Sequence, residues 1–436
     1  MLRAALDAAD PAAAVRRTLL RQGHVLRAAG GAYDLRRIRR VVVVGAGKAA
    51  VSMARAVSVI LGPRLDSGFV VAPEHGAAVQ VAGVEIAEAG HPVPDRRGWR
   101  AARQVLKIAS VLEQDDLLIV LLSGGASSLL PMPAEGLTLA DTQRTTRFLL
   151  RSGATVAEVN TVRKHLSAIK GGRLAGATRA SVLTLMLSDV AGDELGAIGS
   201  GPTAPDPTTF HDAVEAVRRY GLWDRLPVRV RIHLVEGLGG WRPETPKPRS
   251  PIFRRVRHAI IGNNRLAVDA AAKAVRRAGY EVLIFEEFLT GEAATIGHWM
   301  GVWVRDLAGR LPCSSPLCVL AGGELTVTVQ GTGLGGRAQE FALAAALALH
   351  GVPNVWAVGF GTDGRDGPTD VAGAVADGST VNRGKRQGLD AEGHLKRNDS
   401  HTYFQKIGGH IVTGLTGTNV NDLYLLLIRP AARTRR

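Results

Sequence analysis

Apolar runs bounded by glycine recur along the chain: Val41–Val44, Leu117–Leu122, Ser181–Leu187 and Leu317–Ala321. Runs of that length without polar alternation predict strands buried on both faces, the pattern of inner parallel strands. Shorter apolar stretches predict further strands over 68–72, 84–88, 258–261, 281–285 and 354–360, and a leucine-rich strand closes the chain up to Leu427. Between them the pattern turns helical. Asp10 and Pro11 make a helix start and Gly30–Gly31 a stop, predicting a helix over 11–29. Further helices are predicted over 96–112, from Asn263, after Gly291–Glu292, and through an alanine-rich stretch to Leu349. From Asn160 to Arg173 a helix would put Val162, Leu166 and Ile169 on one apolar face, with Arg163, Lys164 and Lys170 off it. Such a basic run is either a solvated face or a helix facing an anion.

Strands alternating with helices predict an α/β protein. At 436 residues, two or three domains are expected. From about Leu226 to Arg257 the periodicity fails, and Pro227, Pro243, Pro246, Pro248 and Pro251 mark a crossover or boundary. The expected division is 1–240, a Pro/Arg-rich connection at 241–257, and 258–436. Residues 382–400 are polar and expected to be exposed. No repeat of solenoid period is visible.

Composition narrows the function. Fifty-two glycines and 46% hydrophobic residues indicate a loop-punctuated globular protein. Cys313 and Cys318 are too few for a disulfide framework and read as buried thiols of a reducing compartment. No apolar run approaches the ~20 residues that span a bilayer. The first residues, with Asp7, Asp10 and Pro11, lack the apolar core of a signal peptide, so a cytoplasmic protein without a membrane partner is expected. The net charge of +15 admits anionic partners. Its arginines are scattered, however: Arg36, Arg37, Arg39 and Arg40 precede a strand, and Arg433, Arg435 and Arg436 form a tail. With only 5% aromatics there is no stacking platform for single strands, and nucleic acid is not expected.

Candidate chemistry gathers at strand ends. The valine run enters Gly45-Ala46-Gly47-Lys48-Ala49-Ala50, a strand, glycine turn and helix start. Free N–H groups there would make an anion site, to which Lys48 adds a charge, although a plain tight turn reads the same way. The dinucleotide spacing is met with Ala50 in the third small position. The Walker A pattern is not met, since Ala49 stands where Ser or Thr is required. A second glycine loop, Ser123-Gly124-Gly125-Ala126-Ser127-Ser128, follows the next inner strand. Asp189 follows the third, placed to meet a metal or a substrate hydroxyl, or simply to cap a loop. In the second half Gly331–Gly336 lead into Arg337, at a helix start where the dipole disfavours a cation. Asp363, Asp366 and Asp370 follow the last-but-one strand without the closing glutamate of a calcium loop. Loops of a parallel sheet share one edge. Two such edges facing each other would form a cleft lined by Lys48, Arg337 and Asp363, which suits phosphoryl transfer. A dinucleotide oxidoreductase and a non-catalytic nucleotide- or nucleic-acid-binding protein remain alternatives. Against the oxidoreductase, Glu74 follows a second strand but comes somewhat later than the roughly 20-residue spacing that a ribose-binding acid prefers.

Nine segments, taken in order, resemble the motifs of the glycerate 2-kinases of the MOFRL type: Gly45–Ala49, His91–Asp95, Leu122–Ser128, Asn160–Arg173, Ser188–Asp193, Gly199–Thr203, Gly335–Glu340, Gly361–Asp370 and Thr416–Leu423. The resemblance covers nearly the whole chain and is specific as a set. It implies a Rossmann-like parallel-sheet N-terminal domain, a smaller C-terminal α/β domain, and a site in the cleft between them. It implies ATP and Mg²⁺, with the γ-phosphoryl group passing to the 2-hydroxyl of D-glycerate. Some relatives of this type carry the label hydroxypyruvate reductase, the NAD(P)H-dependent alternative. The family's catalytic lysine and arginine fall on Lys48 and Arg337. Asp189 and Asp363 become candidates for Mg²⁺ ligation or for taking the hydroxyl proton. Gly45, Gly47, Ser123, Gly124, Gly125, Asn160, Arg163 and Glu324 become candidates for holding nucleotide or glycerate. The partners implied are small molecules, and a homodimer is compatible with them. Departures are Gly199 for a common alanine, Ala338 for a common asparagine, and Gly414-Leu415-Thr416 for Gly-Pro-Thr. Ala338 adjoins Arg337 and so bears on acceptor specificity.

Overall fold

The valine run becomes the strand Val41–Ala46, and all six of its residues are buried. Each fully buried valine is worth roughly 1.5–3 kcal/mol of transfer free energy, which makes this the natural centre of a sheet. The computed structural model describes residues 1–74, 80–310 and 316–429. They form two compact units, Pro11–Ile261 and Met1–Asp10 with Gly262–Arg436.

In the first unit six strands run in the order Val84–Ala89, Ser67–Pro73, Val41–Ala46, Leu117–Leu122, Ser181–Leu187, Val256–Gly262. The pairings from Val84–Ala89 across to Ser181–Leu187 are parallel. Numbered by appearance the order is 3-2-1-4-5-6, the doubly wound arrangement of dinucleotide-binding sheets. The order reverses between Val41–Ala46 and Leu117–Leu122, so the loops after these two strands lie where such sheets bind ligands. The helix Ala50–Leu61 packs its small residues Ala50, Ala54 and Val57 inward, each with no exposed surface.

Several expectations are corrected here. The helix expected over 11–29 stops at Thr18, and Leu20–Gln22, Val25–Ala28 and Gly31–Asp34 form an antiparallel meander. Gly23 and Gly30 turn it at φ +57° and +69°, a region open to glycine and closed to a helix. The Asn160 helix begins earlier, at Val156 behind a Thr155–Glu158 capping box, and ends at His165. Its basic run is not a solvated face, because Lys164 and Lys170 are both buried. The 241–257 stretch is no loose connection. Glu244 accepts from Phe210 N at 2.8 Å, Asp206 N donates to the Pro246 carbonyl at 3.0 Å, and Arg255 donates to the Ala175 carbonyl at 3.1 Å. Prolines break periodicity without making a linker. The chain passes from one unit to the other only after Ile261, so the 258–261 strand edges the first sheet. A helix, Val228–Leu238, also lies inside the stretch taken as irregular. Arg39 and Arg40 pair with the buried Asp116 at 2.9 and 2.8 Å and are not bare surface charge.

The second unit holds a sheet in the order Glu281–Ile284, Leu317–Gly323, Asp422–Ile428, Val355–Gly361, Gly373–Asp377, His410–Ile411. Only its first pair is parallel; the printed pairings of the other strands are antiparallel. The sheet of this half is thus a mixed one. Its register still brings chemistry to one edge, because Asp422 pairs with both Gly323 and Gly361. The helix Leu2–Ala9 belongs to this unit, where the Thr418 hydroxyl donates to the Ala9 carbonyl at 2.7 Å. Residues 382–400 are not uniformly exposed, for His394, Asn398 and Ser400 are buried. Cys318 is buried and burial pushes its thiol up to about 12; Cys313 and the arginine tail lie outside the described residues.

Lys164 and Asp206, both buried, pair at 3.3 Å inside the first unit. Removing one partner of such a pair leaves an uncompensated charge and costs about 3 kcal/mol, or roughly 6–12 °C in melting temperature for a unit of this size. Asp206→Asn should therefore lower the thermal midpoint clearly. Glu215→Ala, which breaks an exposed pair with Arg219, should shift it by about 1 °C or less. Equal shifts in a thermal melt of the two variants would contradict the structural weight given to the buried pair.

Candidate active site

The first glycine turn does not offer the free backbone donors expected of it. Gly47 N donates to the Val71 carbonyl, Lys48 N to the Gly124 carbonyl at 2.9 Å, Ala49 N to Ser123 Oγ at 3.0 Å, and Ala50 N to the Gly47 carbonyl. What it presents is the Lys48 side chain. The turn is instead bolted to the second glycine loop. A Cβ on Gly47, at φ +135°, would fall 2.1 Å from Ser123 Oγ, so only glycine fits this close approach. Gly45 is likewise pressed against Leu121 of the neighbouring strand.

The available donors lie in the second loop. Ser123 N returns to the Ala46 carbonyl, whereas Gly124 and Gly125 N–H have no acceptor among the described residues. His91 completes this corner, its ring lying where a Cβ on Gly125 would be 2.8 Å from it. Burial, and then the charge of Lys48, lower the His91 imidazole below its ordinary value. The Lys48 charge, the neutral-leaning imidazole and two N–H groups therefore share one place. Asp189 is half-buried two residues beyond the Ser181–Leu187 strand, on the same carboxyl edge by the register of the sheet.

Behind the second loop is a network that the sequence did not disclose. Lys170 Nζ donates to the Ser127 carbonyl at 2.8 Å and to its Oγ at 2.9 Å. Ser127 Oγ meets Ser200 Oγ at 2.9 Å, and Ser200 Oγ donates to Asn160 Oδ1 at 3.2 Å. Ser200 holds φ +62°, a strained conformation for a residue with a side chain. Asn160 thus braces Ser200. The signal for Ser200 was a hydroxyl set between two glycines; Ser127 and Lys170 carried none beyond their runs.

In the second unit Arg337 opens the helix Arg337–Ala348. The dipole cost expected of a cation there is offset locally. Asp366 accepts from Ala338 N at 2.9 Å and from Gln339 N at 2.8 Å, placing a carboxylate where the helix wants one. Arg337 itself turns to Asp422, Nε to Oδ2 at 2.5 Å and Nη2 to Oδ1 at 3.1 Å, and to Glu324 at 2.8 Å. Burial alone would lower the guanidinium; Asp422 and Glu324 outweigh it and raise it. Burial pushes the Asp422 carboxyl up to about 7, against the pull of Arg337 and of the Tyr424 hydroxyl at 2.8 Å. Asn421 Nδ2 donates to Glu324 at 3.0 Å, and the Thr362 hydroxyl donates to the Asn421 carbonyl at 2.6 Å, which brings the neighbouring Asp363 to this edge. Asp363 Oδ1 accepts from Arg365 N at 3.0 Å. Sequence reasoning missed Asp422, although a carboxylate heading an apolar strand was the signal.

Among the described residues the one cluster of three close groups able to hold a metal ion is His211, Asp212 and Glu215, with Asp212 engaged in a helix cap. Asp189 and Asp363 are single carboxylates, which fits an ion of the Mg²⁺ kind held largely by phosphate oxygens and water.

Family models match two parts of the chain: a domain of unknown function, DUF4147, over residues 1–235, and the MOFRL family over 317–422. The chain is 38% identical to the glycerate 2-kinase of Pyrococcus horikoshii over 426 residues, 97% of this chain and 95% of that one. It is 43% identical over 393 residues to a protein of Agrobacterium vitis provisionally named hydroxypyruvate reductase, covering 89% and 87% of the two. The crystal structure of glycerate kinase from Thermotoga maritima aligns with a TM-score of 0.85 at 39% identity, covering 98% of this chain and 97% of that one.

His91 reports on the corner without any ligand. Its depressed value means the folded state favours the neutral ring, so the stability this gives is present above the ordinary value of 6.5 and lost as pH falls below it. Replacing Lys48 by Met should move the His91 NMR titration midpoint upward. An unmoved midpoint would show that the Lys48 charge does not reach the ring.

Proposed function

Because the chain belongs to the glycerate kinase family, we propose that it transfers the γ-phosphoryl group of ATP to the 2-hydroxyl of D-glycerate, releasing ADP and 2-phosphoglycerate. The observation that carries this reading is the corner at the reversal point of the first sheet, where the Lys48 charge and the Gly124 and Gly125 N–H groups share one place. Phosphoryl transfer asks little covalent chemistry of a protein; it asks for positioning and for charge neutralisation.

In this proposal Lys48 and Arg337 each neutralise charge on the transferred group. Gly124 and Gly125 donate to a phosphate or to the glycerate carboxylate, while Ser123, Gly45 and Gly47 hold that loop in shape. Asp189 and Asp363 divide two tasks, accepting the proton of the attacking hydroxyl and ligating Mg²⁺. When bound, Mg²⁺ would screen the phosphate oxygens. Asp422 and Glu324 fix the guanidinium plane of Arg337, and Asp422 does so best when ionised. No helix among the described residues is long and apolar enough to cross a membrane, and we take the enzyme to work in the cytoplasm on small soluble substrates.

The oxidoreductase reading has the strand order in its favour, and Glu74 follows the second strand of that order directly. Glu74, however, is ion-paired with Arg97, which leaves a ribose hydroxyl to compete for it. ADP release from ATP and D-glycerate, set against loss of NADH with hydroxypyruvate, separates the two.

Lys48→Ala and Arg337→Ala should each lower kcat by about 10³-fold or more, measured by coupled ADP release. Near-normal turnover in either would remove that residue from the mechanism. The wild-type rate should climb with pH through about 7 as Asp422 ionises. Asp422→Asn should be slower and lack that limb, and a limb that persists would assign it to another group.

A further inference from the structure

The first unit contains a cavity of about 290 Å³ beside the Pro92–Pro94 loop. Its walls are largely apolar, with Pro131, Met132, Leu149, Val162 and Leu166 among them. Every charged side chain lining it is basic: Arg147, Arg151, Arg163 and Lys170. Lys170 is 6% exposed, and among the described residues its ammonium meets only the two neutral oxygens of Ser127, leaving a third N–H. Neither Lys170 nor Arg163 is paired with a carboxylate among the described residues, whereas Lys164, between them in sequence, is paired with Asp206. Burial lowers both groups, and Arg163 lowers Lys170 further. Burying cations side by side without a counter-charge is costly. A molecule keeps such a pair where an anion from outside completes it.

The cavity's size and walls decide which anion. Glycerate is polar at every carbon, would use none of the apolar wall, and would leave most of the space empty. A nucleotide has a flat body with apolar faces and a charged tail, and pockets near 300 Å³ are at the lower end of those that enclose such ligands. Ser127, which lines the cavity, stands two residues from Gly125 in the loop whose Gly124 carbonyl accepts from Lys48 N. A polyphosphate passing Lys170 and Ser127 is therefore led toward Lys48. We propose that this cavity receives the base and ribose of the nucleoside triphosphate donor, with Arg163 and Lys170 meeting its phosphates. This rests on the kinase reading.

The test measures ADP, inorganic triphosphate and D-glycerate binding separately by calorimetry, in wild type and three variants. Arg163→Ala and Lys170→Met should weaken both ADP and triphosphate by about tenfold or more. Thr146→Trp, which fills the cavity from a half-exposed position, should weaken ADP to a similar degree and leave triphosphate within about twofold. D-glycerate affinity should be unchanged throughout. ADP affinity unchanged in Thr146→Trp and Arg163→Ala, in proteins melting like wild type, would overturn the assignment. Loss of D-glycerate affinity instead would overturn it in favour of the acid. Failure of the kinase reading looks different: wild type would release no ADP from ATP and D-glycerate, which overturns both.

Discussion

Two glycine turns held in contact at the centre of a parallel sheet set the form of the first unit. The Ser123 hydroxyl accepts from the N–H of Ala49, the residue just before the Ala50–Leu61 helix, and its oxygen occupies the space that a side chain at position 47 would need. One serine thus ties two strand ends together and fixes the path of the second loop. The cost is that the first turn uses its own donors on the protein. The second loop, relieved of that duty, keeps Gly124 and Gly125 N–H for something else. Helix starts are common anion sites, yet which of two adjacent starts is open depends on hydrogen bonds that run across the sheet.

A comparable economy governs the other unit. Arg337 stands at a helix start, where the backbone would repel it, and is held by carboxylates that come from elsewhere in sequence. Asp422 reaches it because the last strand enters the sheet between two strands running the other way, which brings that strand's first residue to their carboxyl ends. Antiparallel insertion therefore builds an edge that a purely parallel sheet would have built with a loop. It also buries the acid, which is why its proton is lost only near neutrality.

Much of this was legible in the sequence, and the failures have physical causes. The inner strands of the first sheet announced themselves, because runs such as Val41–Val44 and Leu117–Leu122 have no alternative burial. Lys48, Ser123 and Arg337 could be placed at element ends because glycine punctuates the turns that hold them. The 11–29 helix was wrong because Gly23 can end one element and begin another, and short strands have little period to read. The Asn160 run was half right: a helix does hold Asn160 to His165, but it stops there, and buried lysines look in sequence like surface ones. The proline-rich 241–257 stretch was misjudged because Glu244 and Arg255 find partners that only the fold supplies. Asp422, Ser200 and Lys170 owe their roles to neighbours far away in sequence, and no local pattern reports that.

The strand Asp422–Ile428 occupies the middle of its sheet, and the helix Leu2–Ala9 docks on the same unit through a bond spanning 409 positions. The helix Leu2–Ala9 therefore has no complete surface to settle on until the strand Asp422–Ile428 has been made. The Pro11–Ile261 unit can consolidate meanwhile, since every strand of its sheet up to Ile261 has by then been synthesised. Assembly is thus staggered, with the helix Leu2–Ala9 waiting for its partner while the intervening unit consolidates.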